Sequence, residues 1–233
     1  MDDGMARGST QEATYALAFE TSSALGSVAV GRDGEVLGTR AFSGPRMHAS
    51  DFFPTLDALC RAHSVQPGAV VRVYVSAGPG SFTGLRIGIT AARIIALAGG
   101  VRVVAVPTLE VIAQNALDAA EPPEQVAVIL DAKRGRVYAA AFAYGDEAFV
   151  PTCDPAEVEP GAFLAKQERA CAILGEGVAS HRDAVEATGL RVLAESLWPP
   201  RAETVYRLGL ARALRGEFDD PRALIPIYLR PPE

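Results

Sequence analysis

Three cysteines, three histidines and one tryptophan are all that 233 residues carry of these types. Cys60, Cys153 and Cys171 lie far apart and form no CxxC pair. That excludes a disulfide framework and a cysteine zinc site. His48, His63 and His181 are equally scattered, and no neighbouring His or acid completes a metal set. The chain also lacks a basic surplus. It has 22 Lys and Arg against 28 Asp and Glu, for a net charge of −6. A protein that holds nucleic acid alone usually carries a basic patch, so any nucleic-acid target is expected to be held by another component. No apolar run in the sequence approaches the roughly 20 residues a bilayer needs. Residues 1–14 lack the basic start and apolar stretch of a secretory signal. They read as a disordered leader, and the chain as cytoplasmic with no membrane partner.

What is present has globular composition, 49% hydrophobic and 21% charged. Tyr15 to Phe19 is a short apolar run closed by Glu20. Gly26 to Val30, Asp33-Gly34 and Glu35 to Phe42 follow, and Asp-Gly between two β-prone runs predicts a hairpin. Ser50 can cap a helix from Asp51 to His63, which places Phe52, Leu56 and Leu59 on one face. A strand over Val70 to Val75 leads into Gly78-Pro-Gly80. A helix from Ser81 to Ala98 is stopped by Gly99-Gly100. A strand from Arg102 to Val106 precedes a helix through Ala119, with Thr108 as its cap.

Glu121-Pro-Pro123 marks a boundary, and the pattern then restarts. Ala127 to Leu130 is apolar and ends in Asp131, and Val137 to Phe142 follows a turn at Gly135. This repeats the opening run that ends in Glu20, a faint internal duplication. A strand near Ala172 to Leu174, a Gly175-Glu-Gly177 turn and a helix from Glu203 to Arg215 complete the chain. The expected fold is α/β: an actin-like (ASKHA) arrangement of two ribonuclease-H-like halves, residues 15–120 and an abbreviated 124–233. Mixed central sheets would carry flanking helices, and Glu20 and Asp131 would face a cleft between the halves.

The loop Gly78-Pro-Gly80-Ser-Phe-Thr-Gly84 invites a phosphate-binding reading. It is not a Walker A motif, because no Gly-Lys-Ser/Thr follows, and its spacing is not GxGxxG. Two readings stay open. Exposed N–H groups at the helix start could favour an anion, with Ser81 or Thr83 as cap or ligand and Arg86 nearby. Alternatively the loop is only a tight strand-to-helix turn. In the helix beyond it, Gly84, Gly88, Ala92 and Ala96 recur every four residues, with Leu85 and Ile89 alongside. This stripe could pack on the chain's own sheet or receive a partner. Ile87 and Ile94 make the helix apolar on a further side, which favours a partner.

The segment Ser76-Ala-Gly-Pro-Gly-Ser-Phe-Thr-Gly-Leu-Arg-Ile-Gly88 resembles the most distinctive motif of the TsaB (YeaZ) family. Other matches follow in order. They are Phe19-Glu-Thr-Ser22 with Gly26-Ser-Val-Ala29, Arg46-Met-His48, Pro107-Thr-Leu109, Leu130-Asp-Ala-Lys-Arg-Gly-Arg-Val-Tyr138 and Ile227-Tyr-Leu-Arg230. Residues 145–200 match only loosely. Glu20 stands where Asp is usual, and Ala49 where a hydroxyl residue is common.

The resemblance implies a non-catalytic subunit of a tRNA-modifying assembly. Such proteins pair with a catalytic paralogue, TsaD, and the ATPase TsaE to place a threonylcarbamoyl group on N6 of the adenosine next to the anticodon. The stripe on the helix after Ser81 supplies the expected docking residues, Gly84, Leu85, Gly88, Ile89 and Ala92. Gly78, Gly80, Ser81, Thr83 and Arg86 would frame a nucleotide or interface loop. Glu20 and Asp131 would be vestigial cleft acids. No cofactor is expected on this chain alone, with ATP or ADP at the complex interface. Contact with tRNA is expected to be indirect, and a homodimer to form when the chain is alone. The competing reading is an ATP-dependent small-molecule kinase using Glu20, Asp131 and Gly175-Glu-Gly177. A serine hydrolase is disfavoured, since Ser22, Ser23 and Ser81 have no Gly-x-Ser-x-Gly context.

Overall fold

The computed structural model describes residues 14–43 and 49–229. Residues 1–13 of the leader, Arg46-Met-His48 and Arg230 lie outside the described residues. The elements run β1 (Tyr15–Glu20), β2 (Leu25–Arg32), β3 (Glu35–Ser43), α1 (Ala49–Ala62), β4 (Val70–Gly78), α2 (Phe82–Gly99), β5 (Arg102–Pro107) and α3 (Thr108–Gln114). They continue with β6 (Gln125–Asp131), β7 (Val137–Gly145), β8 (Ala148–Pro151), β9 (Ala156–Val158), α4 (Pro160–Leu164), β10 (Ala172–Leu174), α5 (Gly177–Ser180), α6 (Arg182–Glu186), β11 (Arg191–Val192) and α7 (Ala202–Leu214).

The duplication is visible in the strand order. The first sheet runs β3-β2-β1-β4-β5 and the second β8-β7-β6-β10-β11. In each, the acid-terminated strand pairs antiparallel with the next strand and parallel with the one after the crossover. The outer antiparallel strand is continuous in the first half. In the second it is split, with β8 and β9 pairing different parts of β7. This is the actin-like fold.

Alternation in β1 sends Leu17 and Phe19 to one face and Ala16 and Ala18 to the other. Leu17 and Phe19 join a core with Phe52, Leu56, Leu59, Ile89 and Ala92 of α1 and α2. The alanine face, with Ala29 of β2, leaves room for the bulk of α7, and Val205 and Tyr206 fill it. Helix α7 therefore covers the first sheet. Conversely, Leu109, Ile112 and Ala113 of α3 enter the core of the second sheet.

The expected division at residues 121–123 is corrected on this point. Among the described residues, the named strands pair only on their own side of residues 121–123, but α3 and α7 cross that line, because each sheet is covered on one face by a helix from the other half of the sequence. Leu224 and Ile227, beyond α7, also join the first half. Thr108 does not cap α3: Pro107 holds the N-cap position, and the Thr108 hydroxyl is buried without a partner.

By length and composition, α2 is apolar enough to cross a membrane, with mean hydropathy 1.3 over 18 residues. Its composition has a local cause, since one side packs into the first core.

Candidate functional site

Glu20 ends β1 and is 0% exposed. Its Oε1 accepts the Ser22 backbone N–H and the Ser22 hydroxyl, each at 2.5 Å, while Oε2 has no partner. Burial pushes the carboxyl up to about 7, against the downward pull of the Ser22 and Ser76 hydrogen bonds. The Gly-Pro-Gly loop is folded over this acid. Ser81 N–H donates to the Ser22 carbonyl at 2.7 Å, and a Cβ on Gly80 would collide with that same oxygen. Gly78 has φ +110°, a conformation glycine alone adopts freely. A Cβ there would also lie 2.9 Å from the Ile227 carbonyl. The loop thus ties the end of β4 to the segment after β1 and to the C-terminal segment at Ile227, and it starts α2, which Ser81 caps by accepting Gly84 N–H at 3.2 Å.

Of the proposed docking stripe, Gly84, Leu85, Gly88, Ile89 and Ala92 are all buried. Gly88 lies against the Thr21 side chain, and Ile89 and Ala92 are core residues. This corrects the assignment of these side chains to a partner surface. Small residues recur there so that α2 can approach the end of β1, and the face offered to solvent is the opposite one. On it stand Phe82, Thr83, Arg86, Thr90, Ile94 and Leu97. Phe82, Ile94 and Leu97, with Phe53 of α1, are each 46–55% exposed. Arg86 lies over the Phe82 ring at 3.8 Å.

Between α1 and α2, Phe53, Phe82, Arg86, Ile87 and Ile94 line a groove of about 410 Å³. On its other flank Phe53 borders a second cleft of about 640 Å³ with Cys60, Val65 and Ile95. Thr83 and Arg86 of the expected loop site thus belong to this face, whereas Gly78 is buried beneath it.

The second-half acid is arranged differently. Asp131 stays near the surface and accepts Lys133 Nζ at 2.6 Å and Lys133 N–H at 2.9 Å. Burial raises its affinity for a proton, but the hydrogen bonds and charge of Lys133, with His181 nearby, outweigh it and hold the carboxyl below the usual range. His181 Nε2 lies 3.6 Å from Asp131 Oδ1. Nothing in the sequence spacing indicated that pairing. His63 packs against Gly38. Among the described residues, no group of three or more His, Cys, Asp or Glu stands in metal-holding geometry.

A family model described as TsaD, tRNA N6-adenosine threonylcarbamoyltransferase, matches residues 42–211. The tRNA threonylcarbamoyladenosine biosynthesis protein TsaB of Bacillus subtilis is 28% identical over 222 residues, covering 92% of this chain and 93% of that protein. The chain belongs to the TsaB (YeaZ) family. The solved structure of YeaZ from Pseudomonas aeruginosa superposes with a TM-score of 0.82 at 28% identity, covering 93% of this chain and all of the other. A second Pseudomonas aeruginosa structure, described as similar to peptidase YeaZ, gives 0.83 at 29% identity over the same shares.

The peptidase wording concerns that protein. In this TsaB-family chain, Ser22 bonds Glu20, Ser23 donates to the Leu25 carbonyl, and Ser81 caps α2. The family is involved in threonylcarbamoyladenosine biosynthesis, and this chain joins that system by membership.

Proposed function

We propose that the chain is a non-catalytic subunit of the threonylcarbamoyladenosine system, docking on a TsaD-type paralogue and activating it. The observation that carries this reading is the apolar face of α1 and α2 that the described residues leave open, where Phe53, Phe82 and Ile94 stand half-exposed around a groove. Apolar surface of this kind calls for cover. A paralogue with the same two helices could supply it as a helix-bundle contact. A second copy of this chain is the stand-in when the paralogue is absent, as a two-fold contact. The TsaE-type ATPase joins through the assembled pair. This chain alone holds no cofactor, and ATP or ADP belongs to the complex interface. Contact with tRNA goes through the partner, consistent with the net charge of −6, and the assembly works in the cytoplasm.

The kinase alternative needs Glu20 to face an open cleft, yet the loop at Gly80 and Ser81 covers it. The deciding measurement is Ile94→Asp. This side chain is exposed, so the fold should persist. Affinity for the paralogue should fall by about a hundredfold or more, given a charge set into an apolar contact. Threonylcarbamoyladenosine in tRNA, read by nucleoside mass spectrometry, should fall with it. Wild-type affinity and wild-type modification would overturn the reading. Magnesium-dependent ATP binding by the isolated chain, lost on Asp131→Ala, would favour the kinase instead.

A further inference from the structure

Beyond α7 the chain does not simply end. Residues 219–228 run as a strap along the open edge of the first sheet. Asp219 N–H donates to the Val103 carbonyl at 2.9 Å, and its Oδ2 accepts Ala105 N–H at 2.7 Å. An aspartate thus satisfies two ladder positions of β5, an edge that would otherwise present free N–H and C=O groups. Leu224 then inserts into the first core. Ile227 N–H donates to the Ala77 carbonyl at 2.7 Å, directly over the bare Cα of Gly78. These ties fix where Tyr228 goes. Its ring meets Phe82 at 5.9 Å between centroids, and the other neighbour of Phe82 is the Arg86 guanidinium. Tyr228 remains close to half-exposed although it is held at its base.

We infer that the strap is part of the interaction surface and that Tyr228, Phe82 and Arg86 form one anchor for a protein helix carrying a carboxylate beside an apolar stripe. This rests on the docking reading above. Two observations specify the occupant. The anchor is continuous with the α1/α2 groove through Phe82 and Arg86, which line it. In addition, α2 carries no acid along its 18 residues, and Arg86 stands exposed at the groove, so a carboxylate on the cover would complement it. A preorganised Tyr, Phe and Arg group is the composition that concentrates binding energy at protein contacts. The Ile227-Tyr-Leu-Arg230 motif then gains a role: Ile227 ties the strap down, and Tyr228 faces the partner.

The test uses the full chain and the purified TsaD-type paralogue of the same organism. Tyr228→Ala should weaken the Kd about tenfold, and Tyr228→Phe should stay within about threefold of wild type. Asp219→Ala should weaken binding less and should speed hydrogen exchange at Ala105 as the strap loosens. An unchanged Kd for Tyr228→Ala, with Ile94→Asp still disruptive, would overturn the strap inference and leave the docking reading standing. An unchanged Kd for both would overturn the two together. Tyr144, an exposed aromatic on β7, is the control: loss of affinity in Tyr144→Ala equal to that in Tyr228→Ala would also overturn the inference.

Discussion

Each half of the molecule ends its first strand in a carboxylate, and each follows its crossover strand with a glycine loop, yet the two acids live in opposite environments. In the first half, Gly78 has φ +110°; in the second, Gly175 has φ +108°. The first loop seats Gly80 on Ser22, past Glu20, and so roofs the acid over. The second loop seats Gly175 and Gly177 on Ile129, short of Asp131, and leaves that acid beside water. A shift in where one loop lands separates a sealed carboxyl, pushed up to about 7, from an ion-paired one held below its usual range. A duplicated strand order need not preserve a duplicated site.

The comparison breaks hardest where α2 meets the residue after β1. Gly88→Leu forces a branched side chain into Thr21. The expected cost is above about 3 kcal/mol, at the upper end for overpacking. Denaturant unfolding would read this as a large drop in midpoint, rather than as a selective loss of partner binding in a folded protein.

Next comes the acid itself. A carboxyl whose folded pKa is raised from 4.5 to about 7 contributes its full stability below pH 4.5. That contribution is lost as pH rises toward 7, an effect on the order of 3 kcal/mol. Glu20→Gln should therefore flatten the stability profile between about pH 5 and 8 and raise the midpoint at the alkaline end. An unchanged slope would show that Glu20 is not the titrating group.

Asp131 sharpens the contrast with the smallest effect. Its depressed pKa supplies stability above the ordinary carboxylate range, and that stability is lost on acidification. Lys133 is 82% exposed, so Asp131→Asn should cost less than about 1 kcal/mol near neutrality. The acid-side dependence should weaken with it.

Much of this was legible in the residues. Period-two runs, Asp33-Gly34 and the twin strand-end acids marked the main strands of both halves, because strand and turn signals are local, whereas β8, β9 and β11 went unmarked. The stripe at Gly84, Gly88 and Ala92 was visible too, but not its direction. Periodicity places residues on one face of a helix without saying what that face meets. The placement of α3 and α7 was invisible for a related reason. The alanines at 16, 18 and 29 signal a face that accepts bulk, yet nothing local says that Tyr206 provides it. The same holds for His181 beside Asp131, a contact between segments distant in sequence.

The exchange of α3 and α7 has a consequence for synthesis. Apart from Val111 of α3, the alanine face of the first sheet lacks its cover until residues 202–214 have been made, although every strand of that sheet is complete by residue 107. For nearly half of translation the emerging chain carries a finished sheet with one unprotected apolar side. Truncations before α7 should accordingly be claimed by chaperones or aggregate.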